Sequence, residues 1–352
     1  MASASDPLNL PALHAWLRPH CPGLGALDEL AAQRLPAGQS NPTWMLRCGH
    51  DAWVLRAKPA PVAELLPSAH AIEREVKVLR ALADTPVAVP QVVALCEDES
   101  VLGVAFYVMA YVDGEIVRDV AMPHKTPAQR QAMHLSAVQT LAQLHRVDWQ
   151  AKGLADFGRA GGYFERLIGR WTKQYRATQT EALPAMEQLI AWLPQHIPEA
   201  ARRDEDTCLV HGDYRLENLM FTPGGSTVAA VLDWELSTLG HPLSDLAYHA
   251  LAWHNPQGVL RGMAGLGLAA LGIPSETEMM AAYCMAAGRG DLAQIEADWP
   301  FYLAFNCFRL AAIFQGIAQR VSQGVASHPQ AMETARMAGP TAALGWQLAQ
   351  AL

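Results

Sequence analysis

Apolar and polar positions alternate with two different periods along the first third of the chain, and mostly with one period after it. Trp44–Cys48 and Ala52–Arg56 alternate residue by residue, and the "GHD" of Gly49–Asp51 between them predicts a hairpin. Pro36–Thr43, "PAGQSNPT", precedes it as a cluster of turn formers. Ile72, Val76, Leu79 and Leu82 then recur at helical spacing, with Ser68 as the N-cap. Val89–Asp98 and Gly103–Val112 read as two further strands. The pattern shifts at Asp113–Glu115, which predicts a boundary between a region 1–112 and a region 113–352. Beyond it, helices are predicted over Thr126–His145 (Thr126 as cap, Pro127 at the first helical position), Gly162–Ala177, Ala182–Leu193, Ser244–Trp253, Glu276–Ala287, Pro300–Val321 and Pro329–Leu352. Two short apolar runs interrupt them, Cys208–Val210 and Val228–Leu232, read as buried strands whose segments are joined by the turn cluster Thr222–Thr227, "TPGGST". The predicted class is α+β, a β-rich region followed by a mainly helical one.

Polar residues stand where the two buried runs end. His211, Asp213 and Asn218 follow the first and Asp233 the second, which predicts that they meet on a hairpin-like unit. Phosphoryl transfer needs this set of residue types. An aspartate can orient a hydroxyl and take its proton, while an asparagine and a second aspartate can hold magnesium, which prefers hard oxygen ligands. The kinase pattern H-R-D-x-x-x-x-N followed by D-F-G is matched in its Asp-to-Asn spacing, with Gly212 in place of the arginine and Trp234-Glu235 in place of Phe-Gly. Asp213 alone would be an ordinary turn residue. With Asn218 and Asp233 in register, the catalytic reading prevails.

Composition narrows the class. The 352 residues are 51% hydrophobic and 17% charged, with a formal net charge of −8, so the basic excess of a general nucleic-acid binder is lacking. The six cysteines form no C-x-x-C pair and read as buried reduced thiols. The opening "MASASDPLNL" lacks the basic and apolar regions of a secretory signal, and the nearly uncharged run Gly262–Pro274 is too short to span a bilayer. A cytoplasmic protein without a membrane partner is expected.

"HGDYRLENLMF" with "VLDWE" closely resembles the aminoglycoside phosphotransferase/choline kinase-like superfamily, and the resemblance covers nearly the whole chain. "GQSNPTW", "FYVMAYVDG", "LAQLH", "WTKQY" and "LDWELSTLGHPLSDLA" are similar to one branch, the kinase-like domain fused to acyl-CoA dehydrogenases in animals and its free-standing bacterial relatives. The resemblance implies a bilobal protein-kinase-like fold, ATP and Mg2+ as cofactors, and a small hydroxylated molecule as phosphate acceptor. It also implies an acyl-CoA dehydrogenase as a further partner. Asp213 matches the catalytic base, Asn218 and Asp233 the magnesium ligands, and His211 a residue bracing the catalytic loop. Gly38, Gln39, Ser40 and Asn41 match the loop over the phosphates, and Met109, Ala110, Tyr111 and Val112 the hinge that reads adenine through its backbone. The nucleotide-binding lysine of the family falls at Arg56, with Lys58 on the same strand face as the rival; its helix glutamate falls at Glu75, with Glu73 as the rival.

Other polar residues carry less. Glu235 is open between a second metal and a salt bridge; Asp245 reads as a stabiliser of the motif's loops and His145 as packing. The glycines of Gly262–Gly272 follow no strand and are rejected as a dinucleotide loop. In "RAGGYFERLIGRWTKQYR", Arg166, Arg170 and Lys173 line one helical stripe, either a solvated face or a site for an anionic acceptor. An aminoglycoside, a polycation, would call for carboxylates there, so the acceptor expected is a hydroxyacyl-CoA or another anionic metabolite. The alternatives are an aminoglycoside or amino-alcohol kinase and a non-catalytic nucleotide-binding partner of an acyl-CoA dehydrogenase. A protein kinase is disfavoured because no A-P-E segment follows Asp233.

Overall fold

The structure, a computed structural model, describes residues 8–21, 24–35, 41–59, 72–257, 262–290, 292–324 and 331–352. The chain forms two compact units, Met1–Glu115 with Leu219–Ser237 and Ile116–Asn218 with Thr238–Leu352. The first unit therefore takes back a segment from beyond the sequence boundary at residue 112.

Helix α1 (Leu10–Leu17) opens the first unit, burying Leu13 and Leu17, four residues apart on one face. Strands β1 (Leu30–Arg34), β2 (Thr43–Cys48) and β3 (Asp51–Ala57) follow, then α2 (Ile72–Leu82), β4 (Val92–Cys96) and β5 (Phe106–Ala110). The strands make one antiparallel sheet in the order β1-β2-β3-β5-β4. The expected hairpin is β2–β3: Cys48 pairs with Asp51, and Gly49 supplies the positive φ of 60° that a two-residue turn demands. Leu46, Leu55, Phe106 and Val108 close the core against α1. On α2 the periodic residues Ile72, Val76, Leu79 and Leu82 are buried as expected, and so is the carboxylate of Glu75. The proposed cap Ser68 lies outside the described residues, as do Pro36–Ser40.

A two-residue strand, β6 (Glu115–Ile116), stands where the first unit's opening segment ends. In the second unit α3 (Pro127–His145) starts at a capping box: Gln129 N donates to Thr126 Oγ1 at 3.2 Å and Thr126 N donates to Gln129 Oε1 at 2.9 Å. Helices α4 (Tyr163–Thr178) and α5 (Pro184–Trp192) precede β7 (Cys208–Val210). Back in the first unit, β8 (Leu219–Phe221) and β9 (Val228–Val231) pair around "TPGGST". The hairpin thus forms between the segments flanking the turn, where closure is cheapest, and not with Cys208–Val210. That strand instead pairs with β10 (Thr238–Gly240), in register Val210 to Thr238.

Helices α6 (Pro242–His254), α7 (Leu268–Leu271), α8 (Glu276–Ala287), α9 (Leu292–Ser322), α10 (Ala331–Ala335) and α11 (Ala338–Ala349) complete the second unit. Helix α9 begins eight residues before the expected Pro300, which lies inside it. Trp299, just before that proline, donates its indole N–H to Glu276 Oε1 at 2.7 Å and ties the stretch to the start of α8. The helix is long and apolar enough to cross a membrane, yet 78% of its most apolar window is buried within the protein, the pattern of a core helix. The single helix expected over 329–352 is two, because Pro340 in the first turn of α11 marks a new helix start.

Candidate active site

In the first unit a buried electrostatic cluster surrounds Arg56, near the end of β3. Its Nε lies 3.2 Å from Glu75 Oε2, its Nη2 donates to Asp233 Oδ1 at 2.8 Å, and Glu235 Oε2 lies 3.6 Å from Nη2. Glu75 also accepts from the Tyr107 hydroxyl and from Asn41 Nδ2, both at 2.9 Å. Burial opposes the Arg56 charge, but Glu75, Tyr107 and Asp233 outweigh it and hold the guanidinium firmly protonated. Burial raises the Glu75 pKa, partly offset by Arg56 and the hydrogen bond from Tyr107. The rival pair, Lys58 and Glu73, also joins, but half-exposed. Solvent therefore screens it, whereas Arg56–Glu75 is shielded.

Asp233 has a φ of 65°, one of two positive-φ residues other than glycine among the described residues. Aspartate tolerates this left-handed conformation better than most residues, and here it turns the chain just after β9. Asn41, expected over the phosphates, is instead fully buried, its side chain bonded to Glu75; Gly38, Gln39 and Ser40 lie outside the described residues. Met109 and Ala110 end β5, with Ala110 N donating to Gln91 O at 2.8 Å and Tyr111 N to Ala52 O at 3.3 Å. Val112, next along, has its backbone N–H unpartnered among the described residues.

In the second unit β7 delivers His211-Gly212-Asp213, and Asp245 on α6 fixes that loop. Its Oδ2 accepts from His211 N at 2.6 Å and its Oδ1 from Gly212 N at 2.9 Å. Burial would raise the Asp245 pKa, but hydrogen bonding and charge from His145, with His211 and the Gly212 amide, win and lower it. Arg309 of α9 donates to the Gly212 carbonyl and lies over the Tyr248 ring, 5.0 Å from its centroid. Both oxygens of Asp213 are held: Tyr248 OH donates to Oδ1 at 2.6 Å, Asn218 Nδ2 donates to Oδ2 at 2.9 Å, and Arg215 lies 3.3 Å from Oδ2. Asn218 Nδ2 also donates to the Asp213 carbonyl at 2.8 Å, leaving its own Oδ1 as an available hard oxygen. His211 Nδ1 accepts from Asp213 N at 3.2 Å, a local brace.

Asp213, His211 and Asn218 are thus brought together in one unit, and Arg56, Glu75 and Asp233 in the other. His145, read as packing, is buried against the Tyr283 ring and is also hydrogen-bonded, to Tyr283 OH at 2.6 Å and to Asp245 at 3.5 Å. Sequence reasoning missed Tyr107, Tyr248 and Arg309. Tyr248 stands three residues after Asp245, on the same helical face, and Arg309 is the lone charge in the run from Trp299 to Gln319; both signals were there to use. Arg166, Arg170 and Lys173 lie on α4, and none has a carboxylate partner among the described residues. Arg166 donates to the Arg159 carbonyl at 2.7 Å, Arg170 lies 5.4 Å from the Trp171 ring, Glu165 pairs with Arg202 and Glu187 with Arg176, and Asp204 lies close enough to act on the Arg166 charge.

The Asn218 amide oxygen and the Asp233 carboxylate, each in its own unit, are hard oxygen donors of the kind magnesium prefers. No group of three or more His, Cys, Asp or Glu side chains among the described residues is placed to hold a metal by itself.

Residues 31–289 match the model of the phosphotransferase enzyme family. The chain belongs to that family. Over 314 residues it is 46% identical to acyl-CoA dehydrogenase family member 10 of Mus musculus, covering 89% of this chain and 28% of the relative. The chain therefore spans under a third of that curated relative. A solved structure from Ralstonia eutropha JMP134, provisionally named an aminoglycoside phosphotransferase, is 47% identical, with a TM-score of 0.87 over 98% of this chain and 99% of the other. Choline kinase from Cryptosporidium parvum shares the fold, with a TM-score of 0.68 at 12% identity over 98% and 96% of the two chains. The family member is accordingly a kinase-like α+β protein, with its β-rich part first and its helical part after.

Proposed function

We propose that this phosphotransferase is an ATP-dependent enzyme that phosphorylates the hydroxyl of an anionic small molecule, a hydroxyacyl-CoA or a metabolite of like charge. The observation that carries the reading is the setting of Asp213, a carboxylate locked by Tyr248 and Asn218 on a loop whose amides and carbonyl are fixed by Asp245 and Arg309. Asp213 orients the acceptor's hydroxyl and takes its proton. The hydroxyl oxygen forms the new bond to the γ-phosphorus, the bond to the bridging oxygen breaks, and ADP leaves with that electron pair. Asn218 and Asp233 would hold magnesium, which supplies charge neutralisation across the phosphates when bound. Arg56, fixed by Glu75, offers its guanidinium to the phosphates, and the Val112 N–H reads adenine. His211 braces the loop.

The acceptor's charge is inferred from α4. Its stripe of Arg166, Arg170 and Lys173 makes no ion pair with a carboxylate among the described residues, and Glu187 and Glu165 are paired with Arg176 and Arg202. An acyl-CoA dehydrogenase is the proposed protein partner, on the strength of the relatives' names. The test is ADP release from Mg-ATP across hydroxyacyl-CoAs, hydroxy acids, sugars, amino alcohols and aminoglycosides. Turnover with an anionic hydroxylated compound is expected; turnover confined to polycations would contradict the acceptor reading.

A further inference from the structure

A cavity of about 450 Å³ opens in the second unit, walled by His145, Arg146, Arg203, Asp206, His241 and Arg289 among others. It is not part of the Asp213 site. Asp206 lies just before β7 and Asp213 just after it, so the strand separates them by roughly 10 Å at about 3.3 Å per residue. Neither Asp213 nor Asn218 lines it.

Its chemistry is one-sided. Among the described residues, three arginines face one carboxylate, and that carboxylate, Asp206, is held in an ion pair with Arg289. Arg203 has no side-chain partner among the described residues, and Arg146 makes only a 3.3 Å bond to the Ala286 carbonyl. On the wall, His241 is 5% exposed and its Nδ1 has no partner among the described residues. The ring is clamped, stacked on Tyr302 with centroids 5.6 Å apart and packed on Phe164 at 5.3 Å. Burial, with Arg289 and His145 nearby, holds its pKa down to about 3, so the imidazole is neutral and can donate one hydrogen bond without repelling the arginines further.

We propose that this cavity is a second ligand site, distinct from the phosphoryl-transfer site, that takes a small oxyanion bearing two or more negative charges. Phosphate and carboxylate groups share the required chemistry: each matches the arginine fork and accepts from a neutral N–H. The volume suits a metabolite-sized ligand. His145 lines the cavity and also faces Asp245, which holds the amides of His211 and Gly212, so an occupant touches the network that fixes the catalytic loop.

The test uses the full chain, without nucleotide. Inorganic pyrophosphate and citrate are titrated by calorimetry at low ionic strength into the parent and into an Arg146→Gln/Arg203→Gln variant, whose changes fall on exposed side chains and leave the fold intact by circular dichroism. A site binding either probe in the parent and weakened tenfold or more in the variant is expected, and the preferred probe tells phosphate from carboxylate. Crystals soaked in tungstate should show anomalous density between Arg203 and Arg289. Identical isotherms for parent and variant, no binding of either probe, or tungstate density only elsewhere would overturn the proposal. Because ATP takes no part, the result stands apart from the transferase reading.

Discussion

Replacing Asp245 by asparagine should loosen the catalytic loop at a calculable cost. The carboxylate accepts from His211 N at 2.6 Å with one oxygen and from Gly212 N at 2.9 Å with the other. An amide has one oxygen, so one N–H loses its acceptor and meets an NH2 donor instead. A hydrogen bond to a charged group contributes about 1.5–3 kcal/mol, and a stranded buried donor costs about 1–3 kcal/mol. Since the two overlap, a loss of about 3–5 kcal/mol follows, which for a unit of this size lowers Tm by roughly 6–20 °C. Differential scanning calorimetry measures the shift, and hydrogen exchange should show faster exchange in the peptide spanning Leu209–Tyr214. The lowered Asp245 pKa fixes the pH behaviour: a depressed carboxylate stabilises fully above its unfolded pKa, so the gap between parent and variant should stay constant from about pH 6 to pH 8. A Tm drop below about 2 °C with unchanged exchange would refute the reasoning.

Buried histidines predict acid unfolding: burial, with His249 beside it, holds His134 near 3, burial with Arg289 and His145 holds His241 near 3, and burial alone holds His249 near 4. Each pKa is depressed, so the unfolded chain binds the extra protons below about pH 6.5. Stability then falls by about 4 kcal/mol per pH unit between pH 6 and 5, and a circular-dichroism midpoint near pH 4–5 is expected; one below pH 3 contradicts this. Asp233→Ala should abolish the magnesium-dependent part of ATP binding, as calorimetry with and without the metal will show; unchanged metal dependence places the ion elsewhere. Replacing Arg166, Arg170 and Lys173 together by glutamine should raise the acceptor's KM about tenfold, since exposed ion pairs contribute up to about 1 kcal/mol each, and should blunt the salt dependence of acceptor binding. An unaltered KM at low salt makes the stripe a solvated face.

What was legible in the chain was local. Alternation and a two-residue turn announce the β2–β3 hairpin, and Thr126, Pro127 and Gln129 write the start of α3. The spacing of Asp213 and Asn218 needs only the loop between them. Non-local pairing was not legible. Nothing in Cys208–Val210 says that its partner is Thr238–Gly240, because any short apolar run can pair with any other. Strand β1, with one fully buried residue in "LAAQR", carries no periodic signal. The supports of the site follow the same division. Asp245 was recognised beside its motif, whereas Arg309 reaches Gly212 from 97 residues away.

The central claim is that Asp213 is the group that receives the acceptor's proton. The direct measurement is phosphate transfer from Mg-ATP by the parent and by Asp213→Asn, on the acceptor that the turnover screen identifies, with nucleotide affinity measured in parallel. Loss of a general base predicts a transfer rate lower by about 100- to 10,000-fold with ATP affinity essentially unchanged. A variant that transfers phosphate at a rate near the parent's would contradict the account.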